Sequence, residues 1–256
     1  MTGPRSPFDL TGRRAVVTGA SRGIGRAVAV ALARSGADVV GVSGTITDDG
    51  GTAAAVRAEG RSFTAVRADL SDRRAVAELA AALTDDGPPI DILVNNAGII
   101  RRAPAAAHSD EDWDLVLQVD LTAPFLLARR IGAAMVHRGS GKIIFTASLL
   151  SYQGGILVPG YAAAKHGVLG VVKALSNEWA GCGVNVNALV PGYIATDNTA
   201  ALREDPQRSR AILDRIPAGR WGEPSDLAWS AVFLASPAAN YVHGTALAVD
   251  GGWLGR

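Results

Sequence analysis

The chain has 256 residues, a net charge of +1 and hydrophobic side chains at 48% of its positions. This length suits one large α/β domain or two small ones, and the near-neutral charge argues against binding to nucleic acid or to an anionic membrane. No apolar run reaches the ~18 residues that a membrane span needs. The segment Met1–Asp9 lacks the apolar core of a secretion signal, and Cys182 is the only cysteine. No internal disulfide can form, so we expect a reducing, cytoplasmic setting, with Cys182 as a small core residue.

Short apolar runs alternate with helical patterns along the chain. Strands are predicted at 14–18, 38–42, 62–67, 91–94, 141–146, 184–190 and 245–249. Helices are predicted at about 24–35, 50–59, 72–84, 110–137, 161–180, 199–214 and 225–235. This alternation predicts a parallel sheet of seven strands with helices on both faces, a doubly wound Rossmann fold. Nothing resembles a linker, so we expect residues 1–256 to form a single domain that binds ligands at the carboxyl ends of its strands.

A glycine-rich turn lies between the first predicted strand and the first predicted helix. Glycines there let the backbone approach a pyrophosphate, and the helix N-terminus favours its charge. Such a turn is often an ordinary loop, but this position is the context that a dinucleotide site requires. The residues expected to bind the cofactor here are Gly19, Ser21, Arg22, Gly23, Ile24 and Gly25.

Tyr161 and Lys165 are four positions apart, and Ser148 lies thirteen residues before Tyr161. Positions i and i+4 share one face of a helix, so an ammonium can lie close to the phenol. Its charge favours the phenolate and lowers a pKa that is ordinarily about 10. The Ser148 hydroxyl could hold a substrate oxygen against the phenol. A Tyr-x-x-x-Lys pair alone occurs on many exposed helices by chance, and the nucleotide-binding turn before it gives it weight.

Five motifs in order resemble the short-chain dehydrogenase/reductase family over essentially the whole chain. They are Thr18–Gly25, Asn95–Gly98, Ser148, the pair Tyr161 and Lys165, and Pro191–Gly192 followed by Thr196. The resemblance implies hydride transfer between a nicotinamide cofactor and a secondary alcohol or ketone, with Tyr161 as general acid or base. It also implies that Lys165 binds the nicotinamide ribose and that Ser148 polarises the substrate carbonyl.

A narrower resemblance, mostly in the C-terminal half, is to the sugar-acid branch of this family. It rests on Ile99–Arg102, Ser151–Gly155, Asn177–Ala180, Asp214–Gly222 and Val249–Leu254. This branch contains 2-dehydro-3-deoxy-D-gluconate 5-dehydrogenases, also called 2-deoxy-D-gluconate 3-dehydrogenases, and gluconate 5-dehydrogenases. A small substrate with hydroxyls and a carboxylate is implied, and an arginine can clamp the carboxylate, although Arg101 and Arg102 could equally be solubilising loop residues. The expected substrate contacts are Arg101, Arg102, Ser148, Gln153, Tyr161 and Tyr193.

The identity of the cofactor stays open between NAD(H) and NADP(H). NAD enzymes of this fold often end the second strand with an acidic residue that binds the ribose 2′-hydroxyl, but Ser43 has that place here. Arg22 could reach a 2′-phosphate or be a solvated turn residue, and the sugar-acid branch commonly uses NAD. Further cofactor contacts implied by the resemblance are Ser43, Asp69, Leu70, Asn95, Ala97, Gly98, Tyr161, Lys165, Pro191, Gly192, Ile194 and Thr196.

Asp120 departs from the family pattern, which has an asparagine as a fourth catalytic member at this position. The asparagine helps to hold a water that relays protons to the lysine. An aspartate preserves a backbone contact but adds negative charge close to Lys165, which stabilises the ammonium and opposes the phenolate. We expect a slower enzyme or a shifted pH optimum.

Segment 192–222 is rich in polar residues and interrupts the alternation, and the resemblance implies a mobile substrate lid there. The resemblance also implies a homotetramer in which helices 110–137 and 161–180 form an interface, although their apolar residues could equally be core. We expect no catalytic metal, because the histidines have no ligand spacing and the cysteine is alone. The histidines are His108, His137, His166 and His243.

Two other functions remain compatible with the sequence. The turn from Thr18 to Gly25 also resembles that of 3-oxoacyl-thioester reductases, so an acyl-carrier-protein reductase or a general carbonyl reductase is one alternative. The other is a cofactor-binding or regulatory protein with weak catalysis, which Asp120 alone favours. Activity on an acyl thioester, or cofactor binding without turnover, would distinguish them.

Overall fold

The computed structural model describes residues 6–85 and 87–256, so part of the predicted segment Met1–Asp9 lies outside the described residues. The strands in these residues are β1 Arg14–Thr18, β2 Asp38–Val42, β3 Phe63–Val66, β4 Ile92–Asn95, β5 Gly141–Thr146, β6 Val184–Pro191 and β7 Ala246–Val249. They form one parallel sheet in the order β3-β2-β1-β4-β5-β6-β7. The predicted seven-stranded parallel sheet is therefore confirmed.

Helices cover both faces of this sheet. They are α1 Gly23–Arg34, α2 Gly51–Ala58, α3 Arg73–Thr84, α4 Asp110–Leu117, α5 Ala123–Arg138, α6 Pro159–Trp179, α7 Ala200–Glu204, α8 Pro206–Leu213 and α9 Pro224–Ala235. Along β1, Val16 packs in the cluster with α3, α5 and α6, whereas Ala15 and Val17 pack in the cluster with α1 and α9. Successive strand residues face opposite sides, so a strand buried on both sides is apolar throughout. This confirms the doubly wound architecture.

The order of the strands reverses between β1 and β4. From β1 the chain proceeds through β2 and β3 to one edge, then returns to place β4 on the other side of β1. A crevice opens at the carboxyl ends of strands at such a reversal, and it is the usual ligand site of this architecture. The glycine-rich turn follows β1, and the motif Asn95–Gly98 begins at the end of β4, so both predicted motifs lie at this crevice.

The helix predicted over 110–137 is interrupted. A π-helical turn, Gln118–Thr122, separates α4 from α5, and the Ala123 N–H donates to the Gln118 carbonyl across it. Pro124 explains the wider turn, because a proline ring clashes with the carbonyl of the fourth residue before it, here Asp120. Asp120 therefore lies in an irregular turn and not on a regular helix face.

Two further expectations are wrong. The helix predicted over 199–214 is two helices, because the Asp205 side chain accepts hydrogen bonds from Gln207 N and Arg208 N and starts α8 with Pro206 in its first position. Such an Asp-Pro pair favours a new helix start. Cys182 is exposed rather than part of the core.

Candidate active site

Hydrogen bonds join the ends of β1 and β4 at the floor of the crevice. Thr18 Oγ1 accepts from the backbone N–H groups of Asn96 and Ala97 at 2.9 and 3.0 Å. The Asn96 side chain donates to the Thr18 carbonyl at 3.0 Å. These bonds hold the glycine-rich turn and the loop after β4 in one fixed relation.

The glycine-rich turn fits a phosphate. Gly19 has a φ of +68°, and a Cβ there would lie 3.0 Å from Ala97 Cα, while a Cβ on Gly25 would collide with the Gly19 carbonyl. The turn therefore needs both glycines. Arg22 precedes α1 without a side-chain cap, and the first turn of α1 holds no acidic residue. Uncapped N–H donors at the positive end of a helix suit an anionic group such as a pyrophosphate.

A second part of the crevice lies between this turn and the start of α2. The cavity here has a volume of about 280 Å³ and is lined by Ser21, Arg22, Thr45 and Thr47, with the N-terminus of α2. Ser43 accepts from Thr45 N at 3.2 Å, next to the cavity. The residues that line this cavity include no carboxylate, so no lining side chain repels a 2′-phosphate. Arg22 is exposed and forms an ion pair with Asp197 at 3.1 Å.

Three more of the predicted cofactor residues follow β3 or end β4. The Asp69 carboxylate accepts hydrogen bonds from the N–H and the hydroxyl of Ser71, two residues further along the chain. Leu70 follows it and is buried. Asn95 is 4% exposed, and its side-chain oxygen accepts no hydrogen bond.

The motif after β6 closes the crevice from the opposite side. A Cβ on Gly192 would lie 2.5 Å from Asp250 Cα, which requires a glycine at this close approach. Ile194 pairs with Gly222 in an isolated bridge. Thr196 lies across the cleft from the glycine-rich turn, with its Cγ2 3.6 Å from a Cβ placed on Gly23.

Ser148, Tyr161 and Lys165 come together where β5 ends and α6 begins. Ser148 caps a short turn, Leu149–Ser151, and its hydroxyl lies close enough to Tyr161 to lower the pKa of the phenol. The Lys165 ammonium lies 5.5 Å from the centre of the Tyr161 ring. It donates to the Thr146 carbonyl, the last residue of β5, at 2.9 Å. These contacts place a hydroxyl, a phenol and an ammonium in one cluster.

Asp120 reaches this cluster from the π-helical turn. It is 1% exposed, and its Oδ1 accepts from Ile99 N at 2.8 Å. Its Oδ2 lies 3.3 Å from Lys165 Nζ, an ion pair without good hydrogen-bond geometry. The site therefore contains a buried carboxylate beside the ammonium.

Burial and charge act against each other on these groups. Burial raises the pKa of Tyr161, the Lys165 charge lowers it, and the Asp120 charge raises it further. The net direction is upward, so Lys165 alone does not achieve the lowering that its spacing predicts. Burial lowers the pKa of Lys165, but the Asp120 carboxylate and Tyr161 outweigh this and raise it. Burial also raises the pKa of Asp120 against the opposing effect of Lys165. Asp120 thus keeps Lys165 charged and opposes the phenolate.

The two predicted substrate arginines differ in their surroundings. The charge of Arg102 lowers the pKa of Tyr161, so Arg102 lies within electrostatic reach of the phenol. Its guanidinium also donates to the Asn198 carbonyl at 3.3 Å. Arg101 instead pairs with Asp112 at 3.1 Å, so a carboxylate at Arg101 would compete with Asp112. Arg102 is the better placed of the two.

Gln153 and Tyr193 both contact Trp253, which is not among the substrate contacts expected from the sequence. The Trp253 indole donates to Gln153 Oε1 at 3.0 Å, and its ring lies 4.7 Å from that of Tyr193. Trp221 contacts the other side of Tyr193 edge-on at 5.5 Å. Trp253 is 100 residues from Gln153, so no local spacing could predict this contact.

A family model described as enoyl-(acyl carrier protein) reductase matches residues 19–254. The chain belongs to the short-chain dehydrogenase/reductase family. It is 58% identical to a 2-dehydro-3-deoxy-D-gluconate 5-dehydrogenase from Pseudoalteromonas atlantica, over 97% of this chain and 98% of that protein. The similarity to this relative therefore covers nearly the whole of both chains.

Two solved structures of family members are closely similar. One, from Beutenbergia cavernae, is provisionally assigned as an NAD(P)-dependent gluconate 5-dehydrogenase and carries NADP at low occupancy. It has a TM-score of 0.94 and 53% identity, over 98% of this chain and 100% of that chain. The other is a gluconate 5-dehydrogenase from Burkholderia cenocepacia in complex with NADP and tartrate. It has a TM-score of 0.91 and 38% identity, over 98% of both chains.

Two other findings concern the described residues as a whole. Residues 6–85 and 87–256 contain no group of three His, Cys, Asp or Glu side chains arranged to hold a metal ion. None of the helices described is both long and apolar enough to cross a membrane.

Proposed function

We propose that the protein is an oxidoreductase that interconverts a secondary hydroxyl and a ketone on a small sugar acid of the gluconate or 2-dehydro-3-deoxygluconate type. The observation that carries this proposal is the cluster of Ser148, Tyr161 and Lys165 beside an uncapped helix N-terminus at the strand reversal. Family membership and the names of the relatives support the substrate class.

Tyr161 transfers the proton in this proposal. In reduction the phenol donates to the substrate oxygen, and in oxidation the phenolate accepts from the hydroxyl. Ser148, whose hydroxyl lowers the pKa of Tyr161, holds the same substrate oxygen. A bound nicotinamide cofactor supplies or accepts the hydride at the carbinol carbon. Lys165 stabilises the phenolate, and Asp120 keeps Lys165 charged at the cost of a higher pKa for Tyr161.

Arg102 binds the substrate carboxylate in this proposal. A guanidinium binds a carboxylate through paired hydrogen bonds, and the lowering of the pKa of Tyr161 by the Arg102 charge supports a position near the reacting oxygen. Its present acceptor, the Asn198 carbonyl, is a neutral group at 3.3 Å, which a carboxylate can displace.

We also propose residues 192–222 as the substrate lid of a single domain. The ends of this segment are tied together, since Ala195 N donates to the Gly222 carbonyl at 2.8 Å and Gly222 N to the Tyr193 carbonyl at 2.9 Å. The Arg22–Asp197 ion pair joins the lid to the cofactor turn. A cofactor that binds at this turn and engages Arg22 can therefore change the position of the lid through Asp197.

The proposed assembly is a cytoplasmic homotetramer. The outer face of α6 carries the exposed small residues Ala163, Gly170 and Ala174, which allow the helix of a second copy to approach closely. The presence of only one cysteine supports a reducing compartment.

Turnover on a substrate panel tests the function. We expect the purified protein to oxidise gluconate-type acids or to reduce keto-deoxygluconates with a nicotinamide cofactor, because the site offers both a proton donor and a carboxylate-binding arginine. Steady-state rates with NAD(H) and NADP(H), measured beside acyl thioesters, check this. Turnover of acyl thioesters without turnover of any sugar acid would contradict the proposed substrate class.

Arg22→Ala tests whether the protein uses NADP(H), which the sequence leaves open beside NAD(H). If Arg22 binds the 2′-phosphate, we expect the KM for NADP(H) to rise about 10-fold or more with NAD(H) little changed, because NADP(H) alone carries this phosphate. Arg34→Ala, at the far end of α1 and paired with Glu59, is the matched control. Equal effects on both cofactors would show that Arg22 acts through the lid and not through the phosphate.

A further inference from the structure

We infer that Trp253 is a positioning residue that orients the side-chain amide of Gln153 towards the substrate. This inference rests on the sugar-acid function proposed above. Trp253 is 5% exposed and lies after the last strand, β7, whereas Gln153 lies between β5 and α6. The 3.0 Å bond from Trp253 Nε1 to Gln153 Oε1 joins these two distant segments.

The chemistry of the indole determines which end of the amide faces it. An indole N–H can only donate, so the Gln153 atom opposite it must be the oxygen. The amide nitrogen, Nε2, is thereby directed away from Trp253. Among the hydrogen bonds of the described residues, none engages Gln153 Nε2. Two N–H donors are therefore available on a partly exposed side chain.

These donors belong to the same short turn as Ser148. Ser148 accepts from Leu150 N at 3.1 Å, and the Gln153 N–H donates to the Leu149 carbonyl at 3.1 Å. The backbone of Gln153 is thus held by the turn that presents the Ser148 hydroxyl to Tyr161. A substrate oxygen bound by Ser148 and Tyr161 places its neighbouring oxygen atoms near this amide.

Trp253 is itself held firmly. The Asp250 carboxylate accepts from Gly252 N and Leu254 N, both at 2.9 Å, and fixes the turn that carries the indole. The Arg215 guanidinium lies 4.0 Å from the centre of its ring. The Tyr193 ring also packs against the indole, with 4.7 Å between the two ring centres. Trp253 therefore contacts both Gln153 and Tyr193, which are two of the four uncharged side chains predicted to bind the substrate.

The ligand group that suits the amide is an oxygen acceptor. An aldonic acid offers hydroxyl and carboxylate oxygens, and both accept from an amide N–H. Arg102 is placed for the carboxylate, so we assign Gln153 to a hydroxyl oxygen of the same molecule. A substrate without hydroxyls would gain nothing from this orientation.

Two substitutions separate orientation from packing. Trp253→Phe keeps an aromatic ring and removes only the donor, and Gln153→Met keeps an uncharged side chain of similar size while removing the amide and its two donors. We expect each to raise the KM for the sugar acid about 10-fold, with kcat and the KM for the cofactor changed less than about twofold, because one hydrogen bond is lost. Trp229→Phe, on the exposed side of α9, is the matched control.

The double variant completes the test. If Trp253 acts through Gln153, then Trp253→Phe adds little to Gln153→Met, because the two changes remove one shared interaction. An unchanged KM in Trp253→Phe, additive losses in the double variant, or an equal loss of cofactor binding would each overturn the inference. A wild-type protein without turnover on any sugar acid would overturn the proposed function together with it, so the two failures are distinguishable.

Discussion

Replacing Tyr161 with phenylalanine is expected to lower turnover by about 10²- to 10⁴-fold, the usual contribution of a positioned proton donor. The substitution keeps the ring near Lys165 and removes only the hydroxyl that would transfer the proton. Cofactor binding should persist, because the glycine-rich turn is untouched. Steady-state rates and a cofactor titration of the same preparation measure both effects.

Tyr152→Phe is the matched control for this experiment. Tyr152 lies nine residues before Tyr161 and is 50% exposed, so its hydroxyl should not affect the rate. A Tyr161→Phe variant that retained more than about a tenth of the activity would show that another group transfers the proton.

Replacing Asp120 with asparagine should move the pH profile of oxidation towards lower pH. Oxidation needs the phenolate of Tyr161, so the rate rises with pH through the pKa of that group. The Asp120 charge raises this pKa, and its removal lowers the pKa and brings the rising limb to lower pH. Below the limb, the rate increases about tenfold for each pH unit of displacement. Rates of oxidation over a range of pH, at saturating substrate, measure the shift.

The asparagine should be accommodated without unfolding. Its amide oxygen can still accept from Ile99 N, and the Asp120 Oδ2 that it replaces has no well-aligned hydrogen bond. Asp114→Asn, on the exposed side of α4, serves as the control for charge alone. An unchanged profile would mean that Asp120 does not influence the phenol, and a shift to higher pH would mean that Lys165 had lost its proton.

Local patterns predicted the sheet and the proximity of Tyr161 and Lys165. The strands are apolar runs that must be buried on both faces, and Tyr161 and Lys165 share a helix face through their spacing alone. The break at Asp205 was missed, although an aspartate before a proline favours a helix start. The π-helical turn was harder to predict, because Pro124 lies within an otherwise continuous helical pattern.

Contacts between distant segments could not be predicted from local sequence patterns. The bond from Trp253 to Gln153 and the ion pair of Arg22 with Asp197 depend on where the crossovers place the ends of β6 and β7. Likewise, the spacing of Lys165 and Tyr161 predicts a lowered pKa, but burial and the nearby Asp120 reverse the net direction. Such a balance depends on three-dimensional distances and desolvation.

The paired ends of the proposed lid have a consequence for how this protein can diverge. Because Tyr193 and Ala195 are both hydrogen-bonded to Gly222, the residues between them leave and re-enter the sheet edge at nearly the same point. Insertions, deletions and substitutions after Thr196 and Asp197 can alter the proposed lid without changing the strands that hold Ser148 and the cofactor turn. Substrate range can therefore evolve, or be engineered, while Ser148, Tyr161 and Lys165 stay in place.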